Sequence, residues 1–243
     1  MKPVTLFGLS LCNPTMDEAL EQCMQGVEAG ERRTVFFINA HCVNVAFRDA
    51  GYREALRRAD WLFADGMGMA LAARRWGATL RGNVNGTDLY PRLCERLQRG
   101  QAGLFLLGAK PGVAERMRDR SQQCYPGMRI HGIQHGYFTE AQSDEVIAQV
   151  NASGADIVLV ALGVPAQEKW IAQHRDEIEA PLVMGVGGLF DFYSGDVPRA
   201  PLWMRRAGLE WLFRMVQEPG RLWRRYLIGN GVFLWRTLLK RSL

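Results

Sequence analysis

Asp65 is the carboxylate in this chain best placed for chemistry. It follows a short apolar run, Trp61 to Ala64, and precedes a glycine-containing helical stretch, GMGMALAARRW. In open α/β sheets ligands bind outside the carboxyl ends of the strands, where helix N-termini present free backbone N–H groups. An acid at that edge is suited to proton transfer, which makes Asp65 the candidate general base. Two glycine loops carry the complementary chemistry, LFLLGAKPGVAE at 104–115 with Gly108 and VMGVGGLFDFYSGD at 183–196 with Gly185, Gly187 and Gly188. Each places a helix N-terminus behind a strand and can hold a phosphate. Singly, the first reads equally as a tight βα turn, and together the two describe a nucleotide-shaped cleft. A third segment, DIVLVALGVPAQEKW at 156–170, ends a buried strand at Gly163 and puts Gln167 and Glu168 in the first turn of a helix. Both suit capping. Gln167 also offers a donor and an acceptor to a phosphate or sugar hydroxyl at the mouth of the cleft.

These segments must be positioned by alternating elements. A first strand in VTLFGL, a helix opening at Thr15 with Glu18 at capping-box spacing, and a strand in TVFFIN make one βαβ-like unit. A helix from about Val43 to Arg58, the WLFA strand, and helices to Trp76 and from Gly86 to about Arg99 follow. After Gln101, strands and helices alternate regularly up to PLVMGVG. This order predicts an α/β, Rossmann-like, mostly parallel sheet flanked by helices. Trp and Arg become dense after about Arg199, which divides the chain into a body, 1–198, and a helical appendage, 199–243.

With 243 residues, 48% of them hydrophobic, the chain can bury a substantial core. Its net charge of +5 is unevenly spread. The appendage holds ten Lys and Arg against Glu210 and Glu218, a balance of +8 that leaves −3 on the body. A basic tail on a mildly acidic body points to a polyanionic partner: a membrane surface, a diphosphate or a nucleic acid. In RLWRRYL, 100° per residue puts Leu222, Trp223, Tyr226 and Leu227 on one arc and Arg221, Arg224 and Arg225 on the other, suited to a bilayer interface or to packing on the body. Gly229 and Gly231 are expected to break this helix. No run of about eighteen apolar residues occurs, so surface contact with a membrane is expected rather than a spanning helix. The five cysteines lack a CxxC pair, and MKPVTLFGLS lacks the features of a secretory leader, so a reduced, cytosolic protein is expected. His41, His131, His135 and His174 show no metal-ligand grouping, and there is no DxD pair to hold a divalent cation on a diphosphate.

The motifs ADG at 64–66, NGTDL at 85–89, GVPAQEKW at 163–170, GVGGLFDFYSGDVPRAP at 185–201, and LEWLFR with EPGRLWRRY within 209–226 together resemble the WecG/TagA/CpsF glycosyltransferase family over nearly the whole chain. The resemblance implies an inverting, metal-independent transfer from a UDP-sugar to a polyprenyl-diphosphate-linked saccharide, in surface-polysaccharide or teichoic-acid assembly. No cofactor is implied. The protein would work as a peripheral protein on the cytoplasmic face of the cell membrane, with no nucleic-acid partner and with a homo-oligomer left open. By position, the resemblance makes Asp65 the general base with Asn39 and Gln167 as further catalytic residues. Gly108, Tyr137, Gly163, Gly185, Gly187 and Asp191 are the candidate UDP-sugar contacts, and the resemblance puts Arg214, Arg221 and Arg224 at the acceptor diphosphate and membrane. Phe37 stands where members often have Thr, and Asn83 where many have Arg, with substitution by nearby Arg81 left open. Two rivals differ in class. A nucleotide-dependent oxidoreductase lacks a complete GxGxxG followed by a ribose-binding acid. A non-enzymatic scaffold would bind nucleotides or polyanions through the basic tail, and salt-sensitive oligonucleotide binding would mark it.

Overall fold

The computed structural model describes residues 2–240 and 242–243, the side chains of Arg206 and Arg221 excepted. VTLFGL does not join the main sheet. It folds back as an antiparallel hairpin of β1 (Val4–Leu6) and β2 (Leu9–Leu11), because Phe7 and Gly8 both take positive φ, 53° and 76°, at the turn. Leaving the hairpin, the Cys12 N–H donates to the Leu62 carbonyl at 2.9 Å. α1 (Met16–Glu28) opens with the expected capping box: the Glu18 N–H donates to Thr15 Oγ1 and the Thr15 N–H to Glu18 Oε2.

The body continues as β3 (Arg33–Ile38), α2 (Ala40–Ala46), α3 (Ala50–Arg57), β4 (Trp61–Ala64), α4 (Met67–Arg75), α5 (Gly86–Leu97), β5 (Gly103–Gly108), α6 (Val113–Cys124), β6 (Arg129–Gln134), α7 (Ser143–Ala152), β7 (Ile157–Ala161), α8 (Ala166–His174) and β8 (Leu182–Gly185). The single helix expected over 43–58 is two, because the Asp49 carboxylate accepts the Tyr52 N–H at 2.9 Å and starts a new helix. Among the described residues, β3 to β8 form a six-stranded, all-parallel sheet in the order β4-β3-β8-β7-β5-β6. Strand side chains alternate between two helical layers. Val35, Leu104, Leu106, Ile157, Leu159 and Met184 pack under α1, α5 and α6. Phe36, Ile38, Phe105, Leu107, Val158 and Val183 pack under α2, α3, α4, α7 and α8. Apolar residues on both faces are what a sheet covered on both sides requires.

Beyond β8 come α9 (Leu189–Tyr193), α10 (Leu202–Arg206), α11 (Glu210–Gln217), α12 (Pro219–Trp223), a π-helical turn over Arg224–Ile228 and α13 (Gly229–Leu238). Helix runs unbroken through Gly229 and Gly231, contrary to expectation. α13 lies on α2 and α4, with Phe233 and Thr237 buried. The Phe233 ring meets Phe7 at 5.5 Å, Trp76 Nε1 donates to the Thr237 carbonyl at 2.9 Å, and Asn44 Nδ2 donates to the Gly229 carbonyl at 2.7 Å. The end of the appendage is therefore part of the core on that side of the sheet. The arc expected in RLWRRYL is also divided: Leu222 is buried, whereas Trp223 and Leu227 are exposed. The wider π turn rotates the residues after it away from a 100° wheel.

Candidate active site

β3 and β4 run parallel with Ile38 beside Ala64, so the next residue of each, Asn39 and Asp65, leaves the sheet side by side. The Asp65 N–H donates to the Ile38 carbonyl at 2.9 Å. Asn39 is the N-cap of α2, and its Oδ1 accepts the His41 and Cys42 N–H groups at 3.1 and 3.2 Å. This commits the amide oxygen to the helix and leaves Nδ2 to donate to Asp65 Oδ2 at 3.1 Å. The Asp65 carboxyl is held above its ordinary range by burial, against the lowering effects of the Asn39 hydrogen bond and the Arg225 charge. Burial, reinforced by Arg225, pulls His41 down to about 4, so its imidazole is neutral at neutral pH. Gly66, at φ 90°, is tied by its N–H to Asn83 Oδ1 at 2.6 Å. The Arg81 guanidinium is engaged by both oxygens of Glu18 at 2.7 Å.

Gln167 departs from its expected place at the cleft mouth, being only 2% exposed. Its Oε1 accepts the Gly163 N–H at 3.2 Å and the Gly187 N–H at 2.9 Å, and its Nε2 donates to Glu168 Oε1 at 2.9 Å. One buried oxygen thus joins the loop after β7 to the loop after β8. Glu168 is buried as well, its Oε2 has no hydrogen-bond partner among the described residues, and burial pushes its carboxyl up to about 7. Gly185 lies beneath the amide, where a Cβ would come within 3.0 Å of the Phe36 ring. Gly108 ends β5 at φ 136°, and a Cβ there would fall 2.5 Å from the Ala161 carbonyl oxygen. The Gly136 N–H donates to the Ala109 carbonyl, drawing the loop after β6 to that after β5 and leaving neighbouring Tyr137 exposed. Asp65, Asn39 and the four glycines thus all lie at the carboxyl edge of one sheet.

Arg214 and Asp191 meet at Gly188: a Cβ there would lie 3.4 Å from the Arg214 guanidinium and 3.6 Å from the Asp191 carboxylate. Arg214 also lies 4.7 Å over the Phe192 ring. Arg224 is exposed over Trp223, and the Arg221 side chain lies outside the described residues. Among the described residues, the charge of Arg225, which had been sorted only onto the polar arc, reaches both Asp65 and His41. A second unforeseen feature joins body to appendage. Arg199 donates to Asp88 Oδ1 at 2.8 Å and to both oxygens of Glu210, at 3.2 and 3.3 Å. Asp88 belongs to NGTDL and Arg199 to DVPRAP, so both segments were visible, but their pairing across 111 residues was not.

A protein-family model described as the glycosyl transferase WecG/TagA/CpsF family matches residues 4–243. Two curated relatives are similar over most of the chain. The N-acetylglucosaminyldiphosphoundecaprenol N-acetyl-beta-D-mannosaminyltransferase of Bacillus subtilis (strain 168) is 33% identical over 190 residues, 78% of this chain and 73% of that protein. The protein of the same name from Bacillus spizizenii is 34% identical over 182 residues, 75% and 70% of the two chains.

Proposed function

We propose, from the premise that this chain belongs to the WecG/TagA/CpsF family of glycosyltransferases, that it transfers an N-acetylhexosamine from a UDP-sugar to a polyprenyl-diphosphate-linked saccharide, with inversion and without a metal. The observation that carries this reading is the Asn39–Asp65 pair, 3.1 Å apart at adjacent strand ends and on the same sheet edge as the glycine loops. Asp65 removes the proton of the acceptor hydroxyl as its oxygen attacks the anomeric carbon opposite the departing UDP. A positioned base contributes roughly 10²–10⁴-fold to such a step. Burial makes this carboxylate more basic, while Asn39 and Arg225 favour its ionised form. Charge gathering on the leaving diphosphate is met by Arg214 at Gly188. Gln167 acts from behind, setting the spacing of the Gly163 and Gly187 loops.

The two relatives support N-acetylmannosamine as donor sugar and N-acetylglucosaminyl-diphosphoundecaprenol as acceptor. Among the described residues no helix is long and apolar enough to cross a membrane. Trp203, Leu227, Trp235 and Leu238 are nonetheless exposed on the basic appendage, which supports peripheral binding to the inner membrane face. The test is UDP release by purified protein with a panel of UDP-sugars and a polyprenyl-diphosphate-linked N-acetylglucosamine, with and without EDTA. Acceptor-dependent, EDTA-resistant release with one donor is the expected result. Donor turnover that requires a divalent cation would overturn the metal-free mechanism, and silence across the panel would overturn the substrate assignment.

A further inference from the structure

The end of the sheet opposite Asp65 holds a cavity of about 260 Å³, lined by Arg32, Thr34, Arg58, Asp60, Arg175 and Asp176 among others. It lies between α3 and α8, below the first residues of β3. Since β3 runs from Arg33 to Ile38, its two ends are roughly 17 Å apart, and the cavity is separate from the catalytic edge. Three guanidiniums converge there, and among the described residues none has a carboxylate oxygen within ion-pair distance. Asp60 is committed elsewhere, to Arg33 and to the Thr34 N–H.

α3 and α8 both end at this place, and arginines past a helix C-terminus commonly cap its carbonyls. Capping accounts for part of the arrangement. Arg175 donates to the carbonyls of Ile178, Ala180 and Pro181, and Arg32 to those of Asp176 and Ile178, so two guanidiniums share one carbonyl oxygen. It leaves the Arg175 Nε buried without a partner, and Arg58 with a single long contact of 3.5 Å to the Ala172 carbonyl. Burial and the neighbouring Arg32 charge pull Arg175 down to about 10, against the raising effects of the Asp60 and Asp176 carboxylates that also line the cavity.

We propose that this cavity is a binding site for a phosphoryl anion, held by the Arg58 and Arg32 guanidiniums beside Arg175. Guanidiniums recognise tetrahedral phosphate oxygens through directed, charge-assisted hydrogen bonds. The anion is either a small soluble phosphate or a phospholipid headgroup. The site is independent of the transferase reaction and does not rest on it.

The test is thermal unfolding of the full chain over a titration of inorganic phosphate, at ionic strength held constant with sodium chloride. A parallel flotation assay uses phosphatidylglycerol vesicles. Both arms compare wild type with Arg58→Gln, and with Arg32→Gln should the first variant fail to fold. Arg58 is exposed and makes only one weak bond, so the Tm without phosphate should be unchanged. A saturable rise of about 3–6 °C at ten times Kd in wild type, lost in Arg58→Gln, identifies a soluble phosphate site. Vesicle binding weakened in Arg58→Gln relative to wild type, with no response to phosphate, assigns the same site to a headgroup. A response equal in wild type and variant, or none in either arm, overturns the proposal.

Discussion

Glu168→Gln isolates the electrostatics of the buried staple behind the glycine loops. The carboxyl is raised from an ordinary 4.5 to about 7 by burial, so the folded state keeps a proton that the unfolded chain releases. The native state binds more protons throughout that interval, and stability therefore falls as pH rises. This contribution is fully present below pH 4.5 and lost as pH passes through about 7 and above. At about 1.36 kcal/mol per pKa unit, the loss is about 3 kcal/mol by about pH 9. Glutamine has nearly the same shape, cannot ionise, and keeps an oxygen for the Gln167 Nε2 that now donates at 2.9 Å. Urea unfolding of both proteins at about pH 5 and about pH 9 measures the effect. Part of that loss lies below pH 5, so between the two pH values the wild type should lose about 2.5 kcal/mol more than the variant, a difference of about 0.8 M or more in midpoint for an m-value near the upper small-protein range. Equal losses in the two proteins would refute the assignment of a buried, protonating carboxyl at 168.

Asp65→Asn should lower kcat by roughly 10²–10⁴-fold while leaving UDP affinity, measured by calorimetry, within about threefold of wild type; an active variant removes Asp65 as base. Phe233→Ala should destabilise the protein by about 3–5 kcal/mol in urea unfolding, since the ring is 1% exposed against Phe7. A loss under about 1 kcal/mol would mean that α13 is not core. Trp203→Ser combined with Leu238→Ser should weaken flotation with anionic vesicles at least fivefold with no change in urea midpoint, because both side chains are more than half exposed. Undiminished flotation would place membrane contact elsewhere.

The parallel sheet was legible because each strand repeats one grammar: a short apolar run, then a glycine or polar residue, then a helix with its own start signal. The place of Asp65 and of the glycines of the three loops at the carboxyl edge was legible by the same rule, since that edge follows from element order alone. The hairpin was missed because a run such as VTLFGL reads as one strand unless Phe7 is seen at positive φ. Gln167 was identified but misplaced, because whether an amide at a helix start faces solvent or a neighbouring loop depends on β8 lying beside β7. Arg225 was hidden for a different reason. A helical wheel assumes constant pitch, and the π turn at Arg224–Ile228 breaks that assumption where the arginines cluster.

α13 has a mechanical consequence. Its inner side rests on α2 and α4, and these helices begin directly beyond Asn39 and Asp65. Its outer side carries Leu234, Trp235 and Leu238 into solvent. Load applied to the outer side chains is therefore transmitted through α13 to the two helices whose first turns aim the amide and the acid. With Asn44 bonded to the Gly229 carbonyl and Phe233 wedged against Phe7, α13 has little freedom to slide before its neighbours move with it. The exposed apolar side of α13 and the Asn39–Asp65 pair are thus joined through α2 and α4.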